Sequence, residues 1–333
     1  MTRRPAPLPE SLPWRVFTRA EALRAGVLPG RLRRSDIARL RPGLLRRVGA
    51  PIGEADIASA LCRDDPRAVV VGVSAARILG LPLPSPLETW RSGIPVQVSI
   101  PGGAVSSDRV VRWRGLVLAP DQVWSPRLEF VPTADEPART PLPVRMTTRV
   151  RTWRDLAGTV PAFFLVAIGD HLVRRPRPGL EPGREEPWCT LDELRRMCTG
   201  RDTRALRHAV EQVRVGADSP RETLLRLAFL RAGLPEPQLN APLTGVDGNR
   251  GHQADFLWPE YRVCAEYEGR HHSDPEQVSR DIERARRVEK AGWVEVRLHH
   301  HDVSEDCAVA VRLVRDALKA RGWRPSASPS GDR

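Results

Sequence analysis

Asp255, Glu266 and Glu268 are the residues of this sequence whose types and spacing most directly imply chemistry. Asp255 falls in the apolar run ADFLW, and the two glutamates fall in RVCAEYEG. Both runs read as β-strands, so Glu266 and Glu268 share a face, with Cα atoms about 6–7 Å apart. Val263, Ala265 and Tyr267 then point the other way. A carboxylate buried without compensation costs several kcal/mol, so something must neutralise the group. Oxygen ligands gathered without cysteine suit a hard cation, Mg²⁺ or Mn²⁺, which takes one or two protein carboxylates and fills its other sites with water and substrate phosphate. A cation so held polarises a phosphodiester, lowers the pKa of a bound water and stabilises the leaving oxygen. The chemistry implied is phosphodiester hydrolysis.

The elements that must position these acids can be read around them. Ser219-Pro220-Arg221-Glu222 opens a helix with an N-cap serine, a proline at the first helical position and a glutamate at the third. Leu224, Leu225, Ala228 and Leu230 supply its apolar stripe, and Gly233 and Pro235 stop it. Strands are expected over 238–243, 252–258 and 262–267, then a helix over 275–291, a strand over 294–298 and a closing helix over 305–321. The order is α-β-β-β-α-β-α.

Several side chains in this frame carry two readings. Glu222 is a helical carboxylate aimed at the cation, or the capping partner of Ser219. His272 could contact the scissile phosphate or protonate the leaving group, or be a surface-loop histidine. Arg280, Arg284 and Arg287 recur at i, i+4 and i+7. That face tracks a DNA backbone or, with Asp281 and Glu283, makes solvated ion pairs worth about a few tenths of a kcal/mol each. His299, His300 and His301 are consecutive at a strand end, point to opposite faces, and are not expected to form a metal site.

Over 333 residues the chain is 41% hydrophobic and 28% charged, a globular composition with room for two domains. No run reaches the about 20 apolar residues of a membrane span, and MTRRPAPLPE lacks a secretory core, so a cytoplasmic location is expected. Five scattered cysteines without C-x-x-C spacing argue against a disulfide framework or a cysteine-built zinc site. The net charge is +12, unevenly spread: residues 1–50 hold 12 arginines against three acids, whereas residues 219–320 hold 15 basic residues against 17 acids. A basic head suits a polyanion, and the acidic part concentrates carboxylates.

In residues 1–50, Thr18 and Glu21 form a T-x-x-E capping box that opens a short helix ended by Gly26. A second helix is expected over 29–40, followed by a Pro42-Gly43 turn into a strand over 44–48. This order reads as a winged helix-turn-helix with Arg31, Arg33, Arg34 and Arg39 facing phosphates, or as a helical hairpin with a solvated arginine face. Residues 51–173 read as a mixed α/β scaffold, with strands over 68–73, 96–100, 110–113 and 115–118, helices over 73–81 and 161–173, and no chemical constellation. Residues 174–188 read as a linker, 189–218 as a helical connector containing one stretch over 190–213, 219–321 as the chemical domain, and 322–333 as a disordered tail.

The runs SPRETLLRLAFLRAGLPEP, ADFLWPEYRVCAEYEGRHH and SRDIERARRVEKAGWVEVRL together resemble the endonuclease-like domain related to very-short-patch-repair endonucleases, within the PD-(D/E)xK restriction-endonuclease-like superfamily. The resemblance implies a restriction-endonuclease-like α-β-β-β-α-β core in an α/β (α+β) chain, Asp255 and Glu266 as the carboxylates for Mg²⁺ or Mn²⁺, and DNA as substrate. Glu268 stands where the superfamily motif has lysine, which removes the usual cationic partner of the attacking water. A general base or a second-metal ligand is the alternative role there. The head, through FTRAEALRAGVLPGRLRR and LRPGLLRRVG, is similar to the winged-helix domain of AbiEi-like type IV antitoxins. That similarity implies a rival function, a non-catalytic DNA-binding regulator with a degenerate nuclease-like domain, and a toxin or phage-defence protein as partner.

Overall fold

A computed structural model describes residues 5–102, 107–129, 140–177, 181, 184–243, 253–268, 283 and 285–325. The chain is a mixed α/β protein that divides into two units, 1–160 with 197–202 and 161–196 with 203–333. Among the described residues, no helix is long and apolar enough to cross a membrane.

The first unit opens as its capping box dictates. The Glu21 amide donates to Thr18 Oγ1 at 3.1 Å and the Thr18 amide to the Glu21 carboxylate at 2.7 Å, which starts α1 (Arg19–Arg24) directly after β1 (Val16–Thr18). The helix expected over 29–40 does not form. A 3-10 turn (Arg31–Arg33) leads to β2 (Ile37–Arg41), which hairpins through Pro42-Gly43 to β3 (Leu44–Arg47) in a sheet ordered β1-β3-β2. Two effects decide this. Arg31 grips Asp36 with both terminal nitrogens, at 2.8 and 2.6 Å, closing the turn. Ile37 and Leu45 then fill a core with Leu12, Phe17 and Ala22, which an extended strand reaches and a helix would not. The helix-turn-helix expectation is therefore corrected to a strand, a helix and a β-hairpin.

The rest of this unit runs α2 (Glu54–Asp64), β4 (Val69–Val70), α3 (Gly72–Ile78), α4 (Ser85–Glu88), β5 (Val96–Ser99) and β6 (Val111–Arg114). It continues with β7 (Val123–Trp124), β8 (Arg127–Leu128), β9 (Leu142–Pro143), β10 (Met146–Thr147) and α5 (Arg149–Asp155). Five strands form one sheet ordered β6-β5-β4-β10-β7. Segment 115–118, expected as a strand, is not one, because side chains take its backbone groups: Ser99 Oγ accepts from the Leu116 amide at 3.2 Å, and Arg151 donates to the Val117 carbonyl at 3.0 Å.

The second unit contains α6 (Ala162–Val173), α7 (Leu191–Arg196), α8 (Thr203–Gln212) and α9 (Pro220–Arg231). β11 (Gln238–Pro242), β12 (Gln253–Trp258) and β13 (Val263–Glu268) follow, then a helical stretch over 285–290 (α10), β14 (Val294–His299) and α11 (Ala308–Ala320). The stretch expected as one helix over 190–213 is two, interrupted by Gly200 and Asp202 at φ +75° and +58°. Residues of the expected linker are pinned, since Arg174 and Arg184 hold Glu181 at 2.6 and 2.8 Å. The expected α-β-β-β-α-β-α order is present, and the sheet is ordered β11-β12-β13-β14. The first two pairings are antiparallel and the last is parallel, which requires the crossover that contains α10. One face packs on α9 and α11 through Phe229, Phe256, Trp258, Val263, Val314 and Leu318. Trp323, expected in the tail, is buried in this same core.

Candidate active site

Strand register sets one row of polar side chains across this otherwise apolar sheet. Leu239 pairs with Phe256 and Ala241 with Ala254, which brackets Asn240 opposite Asp255. Phe256 pairs with Ala265, and one further step of that ladder brings Asp255 opposite Glu266. Glu266 in turn pairs with Arg297. Asn240, Asp255, Glu266 and Arg297 therefore follow one another from strand to strand, each step about 4.8 Å. Val263, Ala265 and Tyr267 pack on the opposite, helix-covered face, as their alternation requires.

Asp255 sits at the centre of the row. Its Oδ2 accepts the Tyr267 amide at 2.8 Å. Burial pushes its carboxyl up to about 6; the Tyr267 amide opposes the shift and the negative charge of Glu266 adds to it. Two carboxylates facing across a ladder repel each other, and a proton or a cation relieves that repulsion.

Glu222 fills the capping role and also touches the polar row. As a cap, its amide donates to Ser219 Oγ at 3.2 Å, and its carboxylate accepts from Ser219 Oγ and the Asp218 amide, each at 2.8 Å. The same carboxylate accepts Asn240 Nδ2 at 3.1 Å, which ties the start of α9 to the polar row. It is 6% exposed, and burial, followed by the charge of Asp255, pushes it up to about 7. The short reach of a capping glutamate and the position of β11 beside the helix start let the cap also touch the row.

Glu268 lies two residues further along β13, where it meets the Arg297 guanidinium at 3.2 Å and the His299 imidazole at 3.3 Å. His299 thus belongs to a carboxylate pair, and His301 stands 3.2 Å from Asp302. Among the described residues, no group of three or more His, Cys, Asp or Glu side chains is arranged to hold a metal ion. What the row does offer is the Asp255–Glu266 pair, and one or two carboxylates are the protein's usual share of a Mg²⁺ shell.

Of the other expected residues, His272, Arg280, Asp281 and Arg284 lie outside the described residues, and Arg287 is exposed on α10. In the head, Arg33 and Arg34 are exposed, while Arg31 is committed to Asp36 and to the Ala6 carbonyl at 2.8 Å. Three contributors carry little sequence signal. Arg177, from the expected linker, pairs with Asp218 and donates to Asn240, and its positive charge draws the Asp255 carboxyl downward. Asn240 adopts φ +45°, a conformation asparagine tolerates well, and Arg297 is visible only once the parallel register is known.

No family model matches the chain. Two proteins of Mycobacterium tuberculosis, described only as uncharacterized, are similar to it: MT2308 of strain CDC 1551 / Oshkosh and Rv2248 of strain ATCC 25618 / H37Rv. Each is 30% identical over 185 residues, which cover 53% of this chain and 68% of the relative.

Proposed function

We propose that this chain, which belongs to the family of the mycobacterial proteins MT2308 and Rv2248, is a DNA-acting protein whose second unit hydrolyses phosphodiester bonds with Mg²⁺ or Mn²⁺. The observation that carries the reading is the placement of Asp255 one step beyond the Phe256–Ala265 pair, beside Glu266 of the neighbouring strand, with the Asp255 carboxyl pushed up to about 6 by burial and by the charge of that neighbour. Asp255 and Glu266 are the residues that would hold the ion, which when bound supplies polarisation of the phosphodiester and a more acidic water. Tyr267 fixes the Asp255 carboxylate through its amide, at 2.8 Å. Asn240, the neighbour of that carboxylate on β11, donates to Glu222, and Glu222, pushed up to about 7, is the group able to take up a proton beside the row. Arg297 brings a guanidinium to Glu268, the position where the resembled motif carries its own cation. His272 and the arginines 280, 284 and 287 keep their proposed places as phosphate contacts.

The test is DNA cleavage by the full chain in Mg²⁺ and in Mn²⁺, wild type against Asp255→Ala and Glu266→Ala. Cleavage is expected in the wild type and a loss of at least a hundredfold in each variant. Equal cleavage by all three, or none by any, rejects the hydrolase.

A second reading has its own observation: the Glu268 carboxylate is matched by Arg297 and His299, so the motif lysine is replaced by an ion-paired acid. On that reading the chain is a non-catalytic DNA-binding regulator of the type IV antitoxin kind, working with a toxin or phage-defence partner. Salt-sensitive DNA binding that survives Glu266→Ala, with no cleavage in either metal, would favour it.

A further inference from the structure

The first unit holds a cavity of about 990 Å³ whose charged lining is five arginines against Asp155 and Asp202. The arginines form two sets. Arg151 and Arg154, on α5, are fixed by the protein. Arg151 is 3% exposed and donates Nε to Asp155 at 2.9 Å and Nη1 to the Val117 carbonyl at 3.0 Å. Arg154 donates Nε to the Thr199 carbonyl at 3.1 Å. Gly200 makes room for it: at φ +75°, a Cβ there would stand 2.5 Å from Arg154 Nη2.

Arg112, Arg114 and Arg201 are the second set. All three are exposed at the cavity, and among the described residues none makes a side-chain hydrogen bond or close ion pair, although the charge of Arg114 acts on Asp155. Arg112 and Arg114 stand two apart on β6, the edge strand of the sheet, and so present their side chains on one face. A guanidinium cannot shed its charge at ordinary pH, so five of them against two carboxylates leave a surplus of positive charge around the concavity that an anion would relieve. Planar guanidinium groups match phosphate oxygens in paired hydrogen bonds.

We propose that this cavity binds a phosphorylated small molecule of nucleotide size, with Arg112, Arg114 and Arg201 on its phosphates. Size argues against a bare ion, because ligand pockets run to about 300–1,000 Å³ and an inorganic phosphate fills only a small part of that. The proposal is independent of phosphodiester hydrolysis in the second unit.

The test is calorimetric titration of the full chain in EDTA with ATP, GTP, pyrophosphate and a single-stranded oligonucleotide. One of the nucleotides is expected to bind at one site per chain, at least tenfold tighter than pyrophosphate. Arg112→Ala combined with Arg114→Ala, both on the exposed face of an edge strand, should weaken it by tenfold or more. Arg24→Ala, exposed on α1, should bind as the wild type does. The proposal is overturned if neither nucleotide binds at millimolar concentration or if pyrophosphate binds as tightly as the nucleotide. It is overturned equally if only the oligonucleotide binds with the Arg112 and Arg114 dependence.

Discussion

The second unit crowds carboxylates and the first crowds guanidiniums, and the two chemistries answer crowding differently. Asp255, buried and beside Glu266, moves up to about 6 and Glu222, buried and beside Asp255, up to about 7, so each can discard its charge by taking a proton near neutral pH. Arg112, Arg114 and Arg201 have no such exit. The acidic row should therefore respond to pH and to cations, and the arginine-lined cavity to anions and to ionic strength.

The sharpest contrast lies within the second unit, between a compensated acid and a crowded one. Asp170 is 1% exposed on α6 and accepts from Arg226 and from Thr223 Oγ1, each at 2.8 Å, and from the Arg214 amide at 2.7 Å. Its partner Arg226 is fully buried and bonds Asp170 through Nη2, while its Nε and Nη1 have no hydrogen-bond acceptor among the described residues. Asp170→Ala strands that guanidinium, and breaking a buried pair from one side costs about 3–5 kcal/mol. Urea denaturation should show this loss at pH 8. A change under 1 kcal/mol would mean that Arg226 finds another anion or solvent.

Asp255→Asn should act in the opposite direction. The folded carboxyl titrates near 6 against an unfolded value of 3.8, so the folded protein binds the proton more tightly than the unfolded chain does. Stability is therefore greatest at low pH and falls as pH rises from about 4 through about 6. Asparagine has no charge to lose and can still accept the Tyr267 amide. In metal-free buffer the variant should match the wild type near pH 4 and exceed it at pH 8 by about 1–3 kcal/mol, at about 1.4 kcal/mol per pKa unit. Saturating Mg²⁺ or Mn²⁺ should shrink the gap by stabilising the wild type alone. An equal difference at both pH values would show that burial and Glu266 do not control this carboxyl.

The contrast also explains what the sequence could reveal. Asp255, Glu266 and Glu268 were legible because strand alternation is local, and the helix start at Ser219 was legible because a capping box spans four residues. Arg297 and Asn240 depend on register between strands distant in sequence, and Arg177 enters from a segment whose composition resembles a linker. The arginine-lined cavity draws on residues from 71 to 202, so no window of sequence contains it. The expected helix over 29–40 failed for a related reason: Arg31 reaches Asp36 across the turn, and the pull of the core on Ile37 outweighs a helical pattern of arginines.

A smaller effect is expected at the junction of cap and row. Ser219→Ala removes the acceptor of the Glu222 amide and one donor to its carboxylate, and N-cap losses run at about 1 kcal/mol. The lost donor had been favouring the ionised form, so the Glu222 carboxyl should rise further. The stability loss in the variant should then be larger at pH 8 than at pH 5. A pH-independent loss would assign Ser219 to the helix start alone and separate the cap from the acids.

The smallest effects belong to the head, where the same comparison runs between neighbouring arginines. Arg33 and Arg34 are exposed, whereas Arg31 spends its guanidinium on Asp36 and the Ala6 carbonyl. If the head contacts DNA phosphates, Arg33→Ala and Arg34→Ala should each reduce the slope of log affinity against log salt by about 0.9, with no change in thermal stability. Arg31→Ala should do the reverse, lowering stability because it opens the turn before β2 while leaving the slope nearly intact. Parallel titrations of the three variants on one duplex decide the matter. A slope lost at Arg31 and kept at Arg33 and Arg34 would mean that the Asp36 pair opens on binding, making the buttress of the hairpin its DNA contact.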